Sequence, residues 1–192
     1  MTNDPKSHLL QILKKNSVFH GDFALSSGGR SPYYIDCRLT TLNPEGASLV
    51  GELLFDIIQA EAARRKVRID AVGGLTLGAD PVALAIGLAS FRRAADDFIQ
   101  VFTVRKAPKA HGQTKLIEGN FKEGNRVVVV DDVVTKGDST LRAIEAVQAA
   151  GGIVEFAVVL VDRQEGGRQN IEGKGTAVFP LFTKSELIDP LK

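Results

Sequence analysis

The sequence has a single cysteine among its 192 residues, Cys37, which excludes a disulfide within the chain. No apolar run approaches the length of a membrane span, and the first residues lack the charged-then-apolar pattern of a signal peptide. The formal net charge of +1 gives no long-range field that would attract nucleic acid or an anionic membrane. These absences favour a soluble cytoplasmic protein in which any functional basic residues act locally.

Apolar, strand-like segments alternate with amphipathic, helix-like segments along the chain. With 44% hydrophobic residues, no repeats and no low-complexity linker, residues 1–192 are expected to form one domain. The alternation predicts an α/β fold with a doubly wound, mainly parallel central sheet flanked by helices. The predicted helices cover 7–19, 44–65 after an N-cap at Asn43, 81–91 and 141–150; the predicted strands cover 33–37, 69–74, 98–105, 127–132, 155–163 and 175–182.

The most informative stretch is residues 126–141, which read RVVVVDDVVTKGDSTL. Four consecutive valines predict a strand buried on both faces, and Asp131 and Asp132 come where that strand is expected to end. A glycine and three hydroxyl residues within 135–140 then lead into the helix of residues 141–150. Backbone N–H groups at a helix N-terminus bind phosphate, and the carboxylates beside it can hold sugar hydroxyls or Mg²⁺. The stretch therefore predicts an anion cradle beside an acidic pair.

Single residues of this stretch have simpler interpretations. Asp132 alone could be a loop residue, and Ser139 alone could be a helix N-cap. The stretch also lacks the two commonest nucleotide-binding motifs, G-x-G-x-x-G and G-x-x-x-x-G-K-[ST]. As a whole it resembles the phosphoribosyl diphosphate (PRPP) signature of type I phosphoribosyltransferases. That resemblance implies that the acidic pair holds ribose hydroxyls and that the turn binds the 5′-phosphate.

Ligands of doubly wound sheets bind beyond the carboxyl ends of the strands, so charged residues at those ends are candidates for a shared site. The segment that follows the third predicted strand, residues 105–119, reads RKAPKAHGQTKLIEG, has little apolar periodicity and is expected to be a long connection with no structure of its own. One interpretation is a solvated charged loop. The other is a mobile lid whose cations, Lys109 and His111 among them, close over a leaving polyphosphate.

Over nearly the whole chain the sequence looks like the orotate phosphoribosyltransferases. The segments that carry this resemblance are FALSSGGRSPYYID, RKAPKAHG, VVVVDDVVTKGDST and VDRQEGG, in that order. The resemblance implies transfer of the phosphoribosyl group from PRPP to orotate, giving orotidine 5′-monophosphate and pyrophosphate in pyrimidine biosynthesis. It also implies Mg²⁺ as cofactor, a homodimer with shared active sites, and a small hood over the base site formed by about residues 1–40.

Residue roles follow from the same resemblance. Lys109, His111, Asp131 and Asp132 would be catalytic, and the acidic pair would also contact Mg²⁺ carried by PRPP. Orotate would contact Thr135 and Arg163, with Tyr34 and Ile35 covering its ring; a guanidinium also suits the carboxylate that distinguishes orotate from purines. The expected PRPP-binding residues are Arg105, Lys106, Lys109, His111, Asp131, Asp132, Val133, Val134, Thr135, Lys136, Gly137, Asp138 and Ser139.

Three positions depart from the family pattern. Ser26 and Leu77 stand where many members have lysines that contact PRPP, which predicts weaker attraction for pyrophosphate unless Lys115 or Arg30 substitutes. Asp138 places an acid inside the phosphate turn, where it is expected to face away as a helix cap with Lys136 offsetting its charge.

Two other functions share some of these features. A purine phosphoribosyltransferase would share the PRPP signature but should lack Arg163 and the lysine-rich segment. A PRPP-sensing regulator could bind the ligand without turnover, but the basic surface or added helix-turn-helix of a nucleic-acid-binding regulator is not evident in the sequence.

Overall fold

The structure, a computed structural model, describes residues 4–25, 29–94, 96–107 and 116–188, and only the backbone of residues 24, 25 and 29. The elements in chain order are α1 (Pro5–Asn16), β1 (Val18–Leu25), β2 (Gly29–Ile35), α2 (Arg38–Thr41), α3 (Pro44–Arg65), β3 (Ala71–Leu75), α4 (Ala79–Arg93), β4 (Gln100–Val104), β5 (Ile117–Gly119), β6 (Arg126–Val134), α5 (Asp138–Ala149), β7 (Ile153–Asp162), α6 (Gly167–Glu172), β8 (Val178–Thr183) and α7 (Lys184–Leu187).

Six strands form the central sheet in the order β5-β4-β3-β6-β7-β8. All neighbouring pairs are parallel except β4 and β5, so the doubly wound, mainly parallel sheet predicted from the sequence is confirmed. The expectation that residues 105–119 lack structure was wrong at their end. Ile117–Gly119 pairs with Phe102–Val104 because β4 has backbone hydrogen-bonding groups along its outer edge, and this segment runs antiparallel to that edge.

Helices cover both faces of the sheet, and successive valines of β6 point to opposite faces. Val128 and Val130 pack with residues of α1, α3 and α4, whereas Val127 and Val129 pack with residues of α5 and α6. All four side chains are 0% exposed. The predicted strand buried on both faces is therefore confirmed, and its carboxyl end projects between the two helical layers.

The N-terminal hairpin of β1 and β2 forms a separate two-stranded antiparallel sheet. Helix α1 stops at Asn16, short of the predicted residue 19, because Val18 and Phe19 pair with Ile35 and Tyr34 in this hairpin. The second strand accordingly covers Gly29–Ile35 instead of 33–37.

The start of α3 is as predicted. The Asn43 side chain accepts hydrogen bonds from the backbone N–H groups of Glu45 and Gly46 at 3.1 and 3.0 Å, and Pro44 is the first helical residue. No helix in the described part of the chain is both long and apolar enough to cross a membrane.

Candidate active site

The acidic pair lies inside β6, not at its end. The sequence predicted a strand that stops at Asp132, but β6 continues to Val134 because β7 runs alongside it and pairs with Asp131, Val133 and Val134. Asp131 is 5% exposed. Its Oδ2 accepts a hydrogen bond from Oγ1 of Thr140 at 2.8 Å, and its Oδ1 accepts one from the backbone N–H of Asp132 at 3.1 Å. The first turn of α5 thus anchors one carboxylate and leaves the other beside a cleft.

Burial governs the ionisation of this pair. Loss of hydration, followed by the negative charge of Asp132, raises the pKa of Asp131 to about 7, although the hydrogen bond from Thr140 opposes the shift. Burial also raises the pKa of Asp132, against opposing contributions that include the positive charge of Arg38. Carboxylates held in this way gain stability from an added cation or hydroxyl donor.

The turn after β6 is the segment for which the sequence predicts an anion cradle. Gly137 adopts a left-handed conformation with φ of 89°, and α5 begins directly after it at Asp138. The helix therefore starts three residues before the predicted residue 141, and Ser139 lies in its first turn instead of capping it. Gly167 packs closely against the turn, since a Cβ at this position would lie 2.6 Å from the carbonyl oxygen of Thr135 and 2.9 Å from the backbone nitrogen of Gly137. This packing fixes the turn beside an open cleft, and helix N-termini in such a position can bind anions.

The cleft above the turn has a volume of about 400 Å³ and contains most of the residues expected to bind ligand. Asp138 is exposed and makes no capping hydrogen bond, so it does not act as the expected side-chain cap. Nζ of Lys136 is directed to the carbonyl oxygen of Glu165 at 3.0 Å. The lining residues are Asp131, Val133, Val134, Thr135, Lys136, Gly137, Asp138, Ser139, Thr140, Arg163 and Glu165.

Arg163 follows β7 and reaches the same cleft from the other side. Its side chain is buried, with an ion pair of 2.9 Å to Glu165 and its guanidinium carbon 5.8 Å from the ring centroid of Tyr33. Among the described residues, nothing accepts a hydrogen bond from its buried Nε. A buried donor without an acceptor is costly, so the site is suited to an anionic group that would complete it.

A second cleft of about 250 Å³ shares Asp131, Val133 and Ser139 with the first and also includes Asp132. It brings Lys106 to the acidic pair, as expected, whereas NH1 of Arg105 lies 3.7 Å from Glu118. Leu77 is 68% exposed, and the peptide bond between Thr76 and Leu77 is cis. The lining residues are Arg38, Leu75, Thr76, Leu77, Gly78, Lys106, Asp131, Asp132, Val133 and Ser139.

Some expected residues lie elsewhere. Ile35 packs into the hydrophobic core, whereas Tyr34 is 41% exposed beside the rings of Phe19 and Phe23. Lys109, His111, Ser26 and Lys115 fall outside the described residues, and their roles stay predictions from the sequence.

Sequence reasoning missed Arg38, Thr140, Glu165 and Gly78 as parts of the site. Thr140 is one of the three hydroxyl residues of the predicted turn, and its contact with Asp131 is visible only in the structure. Glu165 is close enough to Arg163 in sequence to have been considered as its partner. Arg38 and Gly78 belong to no motif, and only the folded chain brings them to the acidic pair.

Gly78 allows the backbone to approach the acidic pair closely. A Cβ at this position would lie 2.4 Å from Oδ1 of Asp132, while the backbone of Gly78 is already helical, with φ of −59° and ψ of −41°. Gly78→Ala is therefore expected to displace the carboxylate without backbone strain. Overpacking of about 1 to 3 kcal/mol at the site would lower turnover by roughly 5- to 150-fold. Steady-state assays combined with thermal melting check this, and a large loss of stability with normal turnover would contradict it.

Comparisons with known proteins agree with this geometry. No protein-family model matches the chain. An orotate phosphoribosyltransferase from Aquifex aeolicus is 42% identical over 186 residues, which cover 95% of this chain and 97% of the relative. The crystal structure of the Mycobacterium tuberculosis orotate phosphoribosyltransferase in complex with Fe(III) dicitrate matches with a TM-score of 0.81 at 38% identity, covering 96% of this chain and 99% of that one. The structure of the M. tuberculosis enzyme in complex with PRPP gives 0.77 at 36% identity over the same shares. The chain belongs to the orotate phosphoribosyltransferase family.

Proposed function

We propose that the chain transfers the 5-phosphoribosyl group from PRPP to orotate, giving orotidine 5′-monophosphate and pyrophosphate in pyrimidine biosynthesis. The observation that carries this proposal is the buried guanidinium of Arg163, which opens on the same cleft as the anion-binding turn and Asp131. A carboxylate such as that of orotate would pair with this guanidinium from the cleft. The turn beside it would hold the 5′-phosphate of the second substrate.

The reaction is a displacement at the anomeric carbon of ribose. A ring nitrogen of orotate forms the new bond while the bond to pyrophosphate breaks on the opposite face, and positive charge develops on the ribose. Asp131 and Asp132 would hold the ribose hydroxyls and stabilise this charge by their own negative charge. Lys106, which lines the second cleft together with the acidic pair, would contact the departing diphosphate.

Mg²⁺ fits this site only together with the substrate. The described residues contain no group of three or more His, Cys, Asp or Glu side chains that could hold a metal ion. Two carboxylates are nevertheless a suitable protein contribution, because Mg²⁺ is usually bound by one or two carboxylates, substrate phosphates and water. Asp131 and Asp132 would therefore be its contacts. When bound, the metal would neutralise charge on the diphosphate leaving group.

The other two functions are not favoured. A purine phosphoribosyltransferase has no substrate carboxylate to pair with Arg163, and the relatives described above are named orotate phosphoribosyltransferases. A PRPP-sensing regulator needs no base site. A cytoplasmic location stays a prediction from the sequence.

The test of the activity is a spectrophotometric assay of orotate consumption with PRPP and Mg²⁺. Adenine, guanine and hypoxanthine serve as competing acceptors in parallel reactions. Turnover of orotate alone is expected. Turnover of a purine instead would favour the purine enzyme, and binding of PRPP without any turnover would favour the regulator.

We further propose that the active molecule is a homodimer, joined through an apolar surface formed by α2, α4 and the loop between β3 and α4. This α2–α4 surface includes Leu39, Leu42, Leu77 and Leu84, which are 50 to 70% exposed and line a groove of about 860 Å³. Contiguous exposed apolar area of this kind marks interaction surfaces. Leu77 also borders the second cleft, so a second copy seated here would lie next to the active site.

Leu84→Glu is expected to convert the dimer to monomers at micromolar concentration, because it places a charge in the middle of the apolar contact. Light scattering after size-exclusion chromatography measures the mass. Ile153→Glu is a matched control, since Ile153 is 45% exposed on a different part of the molecule. A wild-type protein that is already monomeric would contradict the proposed dimer.

A further inference from the structure

Arg38 is a cation at the acidic pair that the expected PRPP-binding residues do not include. Arg38 and Lys106 are the basic side chains among the described residues that line the second cleft, and they flank a floor made by Asp131 and Asp132. A polyanion that enters this cleft is repelled by the negative charges of Asp131 and Asp132. It therefore needs cations close by to offset the repulsion.

The guanidinium of Arg38 is held in a fixed orientation. Its Nε and NH2 donate to the two carboxylate oxygens of Asp36, each at 2.8 Å. This fork leaves the hydrogens of NH1 and one hydrogen of NH2 available for a second acceptor. Because the side chain is already ordered, less conformational entropy is lost when it binds a ligand.

Asp36 offsets part of the charge of Arg38, yet this positive charge still acts on Asp132, where it opposes the rise in the pKa of that carboxyl. Arg38 lines both the second cleft and the apolar groove, whereas Asp36 lines only the groove. The guanidinium therefore presents its positive charge to the cleft. Its planar array of donors matches the oxygens of a phosphate group.

The other substitutes considered for the lysine absent at position 77 are less suitable or not described. Arg30 forms an ion pair with Asp22 on the N-terminal hairpin and does not line the second cleft. Lys115 lies outside the described residues.

We infer that Arg38 binds the diphosphate group of PRPP and the released pyrophosphate, in place of a lysine at position 77. This inference rests on the proposed function, because it assigns a further ligand to the same site. Charge-assisted hydrogen bonds of this kind change affinity by roughly 10- to 100-fold.

The test compares binding of inorganic pyrophosphate, in the presence of Mg²⁺, to wild type, Arg38→Ala and Arg38→Lys by calorimetry. Arg38→Ala is expected to raise the Kd for pyrophosphate and the KM for PRPP at least tenfold, with a change below about threefold in the KM for orotate. Arg38→Lys keeps the charge without the fork and is expected to be intermediate. Arg64→Ala is the matched control, because Arg64 also pairs with a carboxylate on the surface, Glu61 at 2.6 Å, away from both clefts.

Asp36→Ala separates ligand binding from a structural role. It breaks the same ion pair but keeps the guanidinium, so it should lose less pyrophosphate affinity than Arg38→Ala. Equal losses of pyrophosphate affinity in Asp36→Ala and Arg38→Ala, or an unchanged affinity in Arg38→Ala, would overturn the inference. The proposed function would still stand in that case if the wild type consumes orotate. A wild type that neither binds pyrophosphate nor consumes orotate would overturn both.

Discussion

Replacement of both Asp131 and Asp132 by Asn is expected to lower kcat by a factor on the order of 10³ while the protein remains folded. Asn has nearly the shape of Asp but no charge, so the positive ribose of the transition state would lose its electrostatic partner. Thr140 could still donate a hydrogen bond to the amide oxygen at position 131. Steady-state kinetics with PRPP and orotate measure the loss, and calorimetry with each substrate shows whether binding is retained.

The same double variant has an expected signature in stability. Burial raises the pKa of Asp131 to about 7, above the unfolded value of about 3.9. Between these two values the native state binds more protons than the unfolded state, so the stability of the wild type falls as pH rises through that window. Above about pH 7 the loss is complete. The variant cannot ionise at these positions, so it should melt at the same or a higher temperature than the wild type at pH 8.

Thermal melting of both proteins from pH 4 to pH 8 checks this. The difference in melting temperature, variant minus wild type, should increase with pH and level off above pH 7. Unchanged activity together with a lowered melting temperature would contradict the catalytic assignment and show that the two aspartates are structural.

Arg163→Ala is expected to raise the KM for orotate roughly 30- to 150-fold and to change the KM for PRPP far less. The factor corresponds to about 2 to 3 kcal/mol for a charge-assisted contact in a partly closed site. Glu165, the present partner of Arg163, is 26% exposed and can be hydrated after the substitution. The fold is therefore expected to tolerate the change.

Uracil provides a sharp control for this variant because it has the orotate ring without the carboxylate. The wild type and Arg163→Ala should differ strongly with orotate and little with uracil. Arg168→Ala removes a neighbouring arginine that pairs with Glu172 on the surface at 2.9 Å, and it should behave as the wild type. Equal increases in KM for orotate and PRPP in Arg163→Ala would contradict the assignment of Arg163 to the carboxylate.

The sequence alone determined those features that depend on near neighbours in the chain. The run of valines in β6 requires burial on both faces, and Asn43 followed by Pro44 specifies a helix start. The acidic pair and its turn were recognisable for the same reason, because one short segment carries the carboxylates, the glycine and the first turn of the helix.

Only the tertiary structure decided the features that depend on contacts between distant segments. Strand β6 extends past Asp132 because β7 supplies the ladder partners, and residues 117–119 become a strand because the edge of β4 is free. Arg38 and Gly78 reach the acidic pair from other parts of the chain. A local sequence pattern does not predict such contacts between distant segments, because they depend on how the helices and strands pack around the carboxyl ends of the sheet.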